Sequence, residues 1–90
     1  MSEIQKGENK FYLGASESQP DAEIVYSDIQ EKMVIEHTYV SEKLRGQGVG
    51  QKLVDEAVRY ARENDIKIDS RCPFAKSVLE ENEEYQDIMD

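Results

Sequence analysis

Cysteine, histidine and tryptophan are scarce in this chain of 90 residues: Cys72 and His37 are the only residues of their kinds, and Trp is absent. One cysteine excludes an intramolecular disulfide, which suits a reducing compartment. One Cys and one His also fall short of the four nitrogen and sulfur ligands of a structural zinc site, so we expect no metal.

Long apolar runs are absent as well. No stretch approaches the roughly 18 apolar residues that cross a bilayer, and residues 1–6 lack an apolar segment of the signal-peptide type. We therefore expect a cytoplasmic protein without a membrane partner. The length predicts one domain over residues 1–90, whose core must be compact because a chain of this size buries only about 60–70% of its unfolded surface.

Positive charge is in short supply, with 11 basic against 20 acidic residues and a net charge of −9. This argues against nucleic acid as a partner, because nucleic-acid binding needs a basic footprint. The distribution is uneven: residues 43–62 carry five basic and two acidic side chains, whereas residues 79–90 carry six acidic and no basic ones. A basic segment in an acidic protein indicates a local anion site, although Arg59 and Arg62 fit ordinary decoration of a helix face.

Four segments have the composition and alternation of strands. They are residues 10–13, 22–27, 33–40 and 66–71, and the third, rich in β-branched and aromatic residues, is the strongest. A helix is predicted from about Gln47 to Asn64, because its apolar and small residues fall on one continuous helical stripe. The stripe consists of Gly50, Leu53, Val54, Ala57, Val58 and Ala61.

A second, short helix is predicted to begin at Pro73, since proline suits the first helical position. Its apolar face would consist of Phe74, Ala75, Val78 and Leu79. The acidic tail could dock onto the body through Tyr85, Ile88 and Met89. The order β-β-β-α-β-α predicts an α/β fold with a mixed, mostly antiparallel sheet, and the strand–helix–strand unit over residues 33–71 should be a right-handed crossover.

Three glycines, Gly46, Gly48 and Gly50, lie between the strongest strand and the strongest helix. Glycines allow positive φ and close approach of the backbone to a ligand. The free N–H groups of a first helical turn and the helix dipole favour phosphate at this point. The spacing fits neither the dinucleotide fingerprint, whose third glycine comes one residue later, nor a P-loop. The alternative is a glycine-rich helix start without a ligand, which would cost backbone entropy and bring no packing gain.

The segment Arg45-Gly46-Gln47-Gly48-Val49-Gly50 resembles the Arg/Gln-x-x-Gly-x-Gly/Ala loop of the GNAT superfamily of N-acetyltransferases. The resemblance implies that backbone N–H groups of this loop bind the pyrophosphate of acetyl-CoA, the donor substrate. Lys43, Arg45 and Lys52 would add positive charge. The resemblance further implies that the preceding strand, with Thr38 and Val40, lines the pantetheine arm where this strand separates from the next.

A narrower resemblance links most of the chain to a family of minimal, single-domain GNAT-like proteins. It rests on residues 35–40, residues 45–53, Cys72-Pro73-Phe74, Glu84-Tyr85 and Asp87. Members of that family lack the N-terminal helices that build the acceptor site in larger GNAT enzymes. One departure is Glu83, where the family pattern has Pro. The resemblance implies acetyl-CoA binding and leaves the acceptor open.

Four residues are candidates for catalysis. Cys72 precedes Pro73 and is expected at a helix N-terminus, where a thiol pKa is lowered; it either faces the thioester or packs as a small buried hydrophobe. His37 and Glu36 are candidate general bases, with half-buried or solvated strand positions as the alternatives. Strand alternation predicts that these two face opposite sides of the sheet. Tyr85 either protonates the departing CoA thiolate or docks the tail.

The leading hypothesis is an enzyme, an acyltransferase that moves an acetyl group from acetyl-CoA to an amine of a small or peptide acceptor. The acidic tail would attract a cationic acceptor through its long-range field. One alternative is a module that binds CoA without efficient transferase activity. Another is an acidic interaction domain that has no ligand.

Overall fold

The computed structural model describes residues 4–89, which contain one five-stranded sheet in the order β1-β2-β3-β4-β5. The strands are β1 (Gln5–Gly7), β2 (Lys10–Leu13), β3 (Ala22–Ile29), β4 (Lys32–Val40) and β5 (Lys67–Ser70). The first four form an antiparallel meander, and β5 is parallel to β4. The α/β fold with a mixed, mostly antiparallel sheet is therefore confirmed.

Two helices, α1 (Val49–Glu63) and α2 (Pro73–Glu81), pack on one face of the sheet, and two 3-10 turns span Glu42–Leu44 and Glu83–Ile88. The whole predicted stripe of α1 is buried, together with Val49. It packs against buried strand residues such as Ile24, Ile35 and Ile68 in one hydrophobic cluster. None of the helices among residues 4–89 is long and apolar enough to cross a membrane.

Some elements differ from those predicted, of which the unpredicted strand β1, the β3–β4 hairpin and the start of α1 matter most. β1 has no apolar alternation and is held by its pairing with β2. β3 and β4 extend beyond their predicted ends at residues 27 and 33 to a two-residue turn, in which Gln30 and Glu31 have φ values of 50° and 65°, the left-handed conformation of tight hairpins. Helix α1 begins at Val49 rather than at residue 47, since Gly48 at its N-cap has φ 73°.

A β-bulge changes the alternation of β4. Val25 pairs with His37 and Tyr26 pairs with Ile35, so Glu36 is an extra residue in β4. Before the bulge Ile35 faces the helices, and after it Thr38 does. Glu36 and His37 both lie on the opposite side of the sheet, which we call the outer face. Its side chains include Val25, Val34, Glu36, His37, Asp69 and Arg71.

The C-terminal segment docks onto the body as predicted. Tyr85 and Ile88 are buried, and Met89 forms a parallel bridge with Ile68 beside the edge strand β5. Arg62 pairs with Asp87 at 2.8 Å, and Lys67 Nζ donates to the Asp87 carbonyl at 2.8 Å. The tail therefore joins helix α1 to strand β5.

Candidate functional site

An open cavity of about 470 Å³ lies on the helix side of the sheet, at the C-terminal end of β4. The cavity exists because β4 extends beyond the end of its pairing with β5. The last β4–β5 pair is Ile35 with Ser70, whereas β4 continues to Val40. The chain after β5 turns into helix α2, and the space between is left unfilled. The lining comprises Thr38, Tyr39, Val40, Leu44, Arg45, Gly46, Gly48, Val49, Gly50, Gln51, Phe74 and Val78.

The glycine loop forms one wall of this cavity. Gly46 and Gly48 have φ values of 82° and 73°, and a Cβ at either position would meet nothing within 4 Å. Neither glycine is therefore required by packing, and the backbone there is open to a ligand. Arg45 also lines the wall, and its Nε donates to the Val40 carbonyl at 3.2 Å, so the guanidinium is anchored beside the end of β4.

The backbone N–H donors of the first turn of α1 belong to the same wall of the cavity. The first helical hydrogen bond runs from Lys52 N to Gly48 O at 3.1 Å. The N–H groups of Val49, Gly50 and Gln51 precede that bond and have no helical carbonyl to reach. Free donors at the positive end of a helix dipole favour a phosphate group. This wall therefore favours an anionic group such as a phosphate.

Gly50 has a different reason to be glycine. Its φ is not in the left-handed region, but an added Cβ would lie 2.8 Å from the ring of Phe74 and 3.7 Å from Val40. Phe74 is 47% exposed and lies across the N-terminal turn of α1. The aromatic ring and the Val40 side chain make the inner part of the cavity apolar, which suits an uncharged chain rather than a phosphate.

Cys72 borders this inner part through Thr38. The Cys72 Sγ lies 3.4 Å from the Thr38 hydroxyl, and Cys72 is the N-cap residue of α2, as predicted. Burial raises the pKa of the Cys72 thiol, but hydrogen bonds from the Thr38 hydroxyl and from the backbone N–H groups of Ala75 and Phe74 outweigh it. The net pKa lies below that of an ordinary cysteine, because these donors stabilise the thiolate. Cys72 itself is 8% exposed.

Glu36 and His37 lie on the outer face and do not line the cavity. The prediction that they face opposite sides of the sheet is wrong. The β-bulge inserts Glu36 as an extra residue, which interrupts the alternation and leaves Glu36 and His37 on the same face. His37 is exposed, whereas Glu36 is half-buried and accepts hydrogen bonds from Arg71 Nη1 at 3.3 and 3.4 Å. Glu36 thus forms an ion pair with Arg71 next to the end of β4–β5 pairing.

Three further candidates lie outside the main cavity. The Gln47 amide donates to the Lys43 carbonyl at 3.1 Å. Lys52 and Tyr85 line a second cavity of about 410 Å³ on another side of α1. The Tyr85 hydroxyl donates to Asp55 Oδ1 at 3.2 Å; burial, and then the Asp55 carboxylate, raise the pKa of Tyr85. Tyr85 is buried and docks the tail, and its part in proton transfer stays a prediction.

Several lining residues were not predicted from the sequence, and Phe74 and Val78 matter most among them. Their spacing predicts the packed face of α2, but only Ala75 and Leu79 of that helix are buried. Phe74 and Val78 form a second apolar row, at spacing i, i+4, and this row lines the cavity. The sequence does contain a signal for this, because the apolar face of α2 is wider than contact with the core requires.

The chain is similar to known proteins in sequence and in fold. A family model described as GCN5-related N-acetyl-transferase matches residues 10–88. The solution structure of a GCN5-like protein from Staphylococcus aureus is 48% identical, with a TM-score of 0.84, over 98% of this chain and 87% of that one.

A crystal structure of a ribosomal-protein-alanine N-acetyltransferase from Brucella melitensis biovar Abortus 2308 has a TM-score of 0.61 at 20% identity. It covers 81% of this chain and 59% of that one, and shows a common fold. No match was found among curated proteins.

Proposed function

Since the chain belongs to the GCN5-related N-acetyltransferase family, we propose that its main cavity binds acetyl-CoA and that the chain transfers the acetyl group to a primary amine. The membership makes it an acyltransferase and confirms the resemblance inferred from the glycine loop. The observation that carries the proposal is that one cavity has a polar wall and an apolar wall. One wall offers backbone donors and a guanidinium, and the other is apolar and includes Thr38, whose hydroxyl contacts the Cys72 thiol.

The donor would lie across these two walls. The pyrophosphate would accept hydrogen bonds from the N–H groups of Val49 and Gly50, with Arg45 adding charge. The uncharged pantetheine arm would run past Val40 and Phe74 toward Thr38. The thioester would then lie near the position where β4 and β5 stop pairing. Lys52 lines the second cavity instead, so we assign it to the outer, nucleotide end of the donor.

Transfer of the acetyl group then depends mainly on holding the amine against the thioester carbonyl. The amine nitrogen forms a bond to the carbonyl carbon, the carbon–sulfur bond breaks, and CoA departs as a thiolate that takes up the proton lost by the amine. Cys72 offers a second route, in which its thiolate first takes the acetyl group and the amine then removes it. The lowered pKa of the thiol favours that attack at neutral pH.

A calorimetric titration with CoA tests donor binding, and the absence of heat at millimolar CoA would overturn the proposal. Thiol release from acetyl-CoA in the presence of primary amines distinguishes a transferase from a module that only binds CoA. Intact-mass spectrometry after incubation with acetyl-CoA reports on Cys72. A gain of one acetyl group that disappears in Cys72→Ser supports the second route, whereas an unmodified protein leaves direct attack by the amine.

A further inference from the structure

Beyond the last β4–β5 pair, two side-chain contacts connect the end of β4 with the segment that follows β5. One contact lies on each face of the sheet. The backbone pairing ends where Arg71 N donates to the Ile35 carbonyl at 2.8 Å. On the helix side, the thiol of Cys72 meets the hydroxyl of Thr38 at 3.4 Å. On the outer face, Arg71 Nη1 lies 3.3 Å from Glu36 Oε2. The space between the diverging chains is thus bordered by a thiol–hydroxyl contact and by an ion pair.

The outer face is the side from which an acceptor can approach. The helix side holds the main cavity, which the donor would fill, and helices α1 and α2 pack around it. Within residues 4–89, both helices lie on that same side, so the outer face beside Glu36 carries no helix. An acceptor that reaches the end of the pantetheine arm from the outer face meets the Glu36–Arg71 pair first.

The two partners of this pair differ in exposure. The Glu36 side chain is 28% exposed and projects from the β-bulge. The Arg71 side chain is 68% exposed, and its guanidinium is at the end of a long, flexible side chain. Exposed ion pairs of this kind are weak. Arg71 is therefore the partner that another cation can replace.

The residues around Glu36 favour a cation as the group that replaces Arg71. Asp69 lies on the outer face of β5, opposite Val34, which precedes Glu36 by one position on that face. Asp69 Oδ1 accepts the Ser70 N–H at 2.8 Å, and no ion pair is found for it among residues 4–89. If Arg71 moves away, two carboxylates remain as diagonal neighbours on adjacent strands. A protonated amine matches that arrangement, and a neutral hydroxyl compound does not.

We propose that the Arg71 guanidinium occupies the place at Glu36 that the ammonium group of the acceptor takes, so that acceptor binding exchanges one cation for another. This inference rests on the proposed acetyl transfer, and it defines the acceptor as a primary ammonium compound that contacts Glu36 from the outer face. Arg71 is in this account a specificity-determining residue that acts through Glu36. It touches neither the thioester nor the bound amine.

The experiment uses 1,4-diaminobutane as the probe, with 1,4-butanediol at the same concentration and sodium chloride at the same ionic strength as controls. The first readout is the nuclear magnetic resonance signal of the Arg71 Nε–H group, which needs no catalysis. We expect the diamine to move this signal toward its position in Glu36→Gln, and the controls to leave it in place. A signal that responds equally to sodium chloride would mean screening alone and would overturn the inference.

The second readout separates KM from kcat in the thiol-release assay. Arg71→Gln removes the competing cation and should lower KM for the diamine about two- to fivefold, the span of an exposed ion pair, with kcat unchanged. Arg71→Lys retains a competing cation and should keep the KM of the unmodified protein. Glu36→Gln should raise KM. An unchanged or higher KM in Arg71→Gln would overturn the inference, because a merely structural ion pair gives that result.

Failure of the proposed function gives a different pattern. If CoA produces no heat, the donor site is wrong, yet the Arg71 signal still tells whether the diamine displaces the guanidinium from Glu36. If CoA binds and acetyl transfer occurs, but the diamine leaves the Arg71 signal unmoved, the transferase proposal stands and the cation exchange is refuted.

Discussion

Replacing Gly50 by Ala tests whether this glycine serves the cavity or the helix. The added Cβ would lie 2.8 Å from the Phe74 ring, so the ring must retreat by about 0.6 Å to reach ordinary contact at 3.4 Å. The contact is with the far end of the ring, and Phe74 is 47% exposed. The ring can therefore move without opening the core.

The expected effects on stability and on binding have opposite signs. Ala in place of Gly within a helix stabilises by up to about 1 kcal/mol, and a few displaced ring contacts cost roughly 0.1–0.2 kcal/mol each. We therefore expect a free energy of unfolding that is unchanged or higher by up to about 1 kcal/mol. The displaced ring narrows the apolar part of the cavity, so we expect CoA to bind about tenfold more weakly, which corresponds to ~1.4 kcal/mol.

Thermal unfolding and calorimetric titration with CoA should be measured for four proteins: the unmodified chain, Gly50→Ala, Phe74→Leu and the double variant. Leu lacks the ring atoms that meet the new Cβ, so the double variant should bind CoA as Phe74→Leu does, a non-additive result. If Gly50→Ala lowered the free energy of unfolding by about 2 kcal/mol or more, the Phe74 ring would be overpacked and unable to move. Unchanged CoA affinity would refute the assignment of this wall to the donor.

The remaining predictions concern the loop, the thiol and the tail. Gly48→Ala should lower the free energy of unfolding by about 1–2 kcal/mol through its left-handed φ of 73°, whereas Gly48→Asn, which tolerates that conformation, should cost less in the same denaturant titration; the reverse order would contradict this reasoning. Thr38→Val removes a hydrogen bond that lowers the pKa of Cys72, so the rise of its alkylation rate with pH should shift to higher pH, and an unmoved profile would place the cause elsewhere. Tyr85→Phe should reduce stability by about 1 kcal/mol through its lost hydrogen bond while leaving kcat for thiol release unchanged; a tenfold lower kcat at unchanged stability would instead assign Tyr85 to proton transfer.

Local chemistry explains the parts of the site that the sequence predicted. Pro73 has a fixed φ suited to the first helical position, so the start of α2 and the N-cap position of Cys72 could be read directly. The period-two alternation of residues 66–71 predicts a strand with one buried side, and in β5 Ile68 and Ser70 are buried whereas Lys67 and Asp69 are exposed. Each of these inferences needs only neighbouring residues.

The parts that could not be predicted depend on partners distant in sequence. The bulge at Glu36 exists only in the register of β4 against β3, and nothing within residues 33–40 marks it. The exposure of Phe74 depends on the end of β5 pairing, which leaves a space instead of a core. Strand β1 is set by its pairing with β2, since its own residues carry no strand pattern.

The docked tail has a consequence for solubility. β5 is an edge strand, and an uncovered edge is a template on which another chain can add a strand. Met89 occupies part of that edge opposite Ile68. The surrounding Arg62, Lys67 and Asp87 place paired charges where an incoming strand would have to lie. Proteolysis or truncation before Tyr85 would uncover both the edge and the apolar side chains beneath it, so the shortened chain should form aggregates through intermolecular β-pairing.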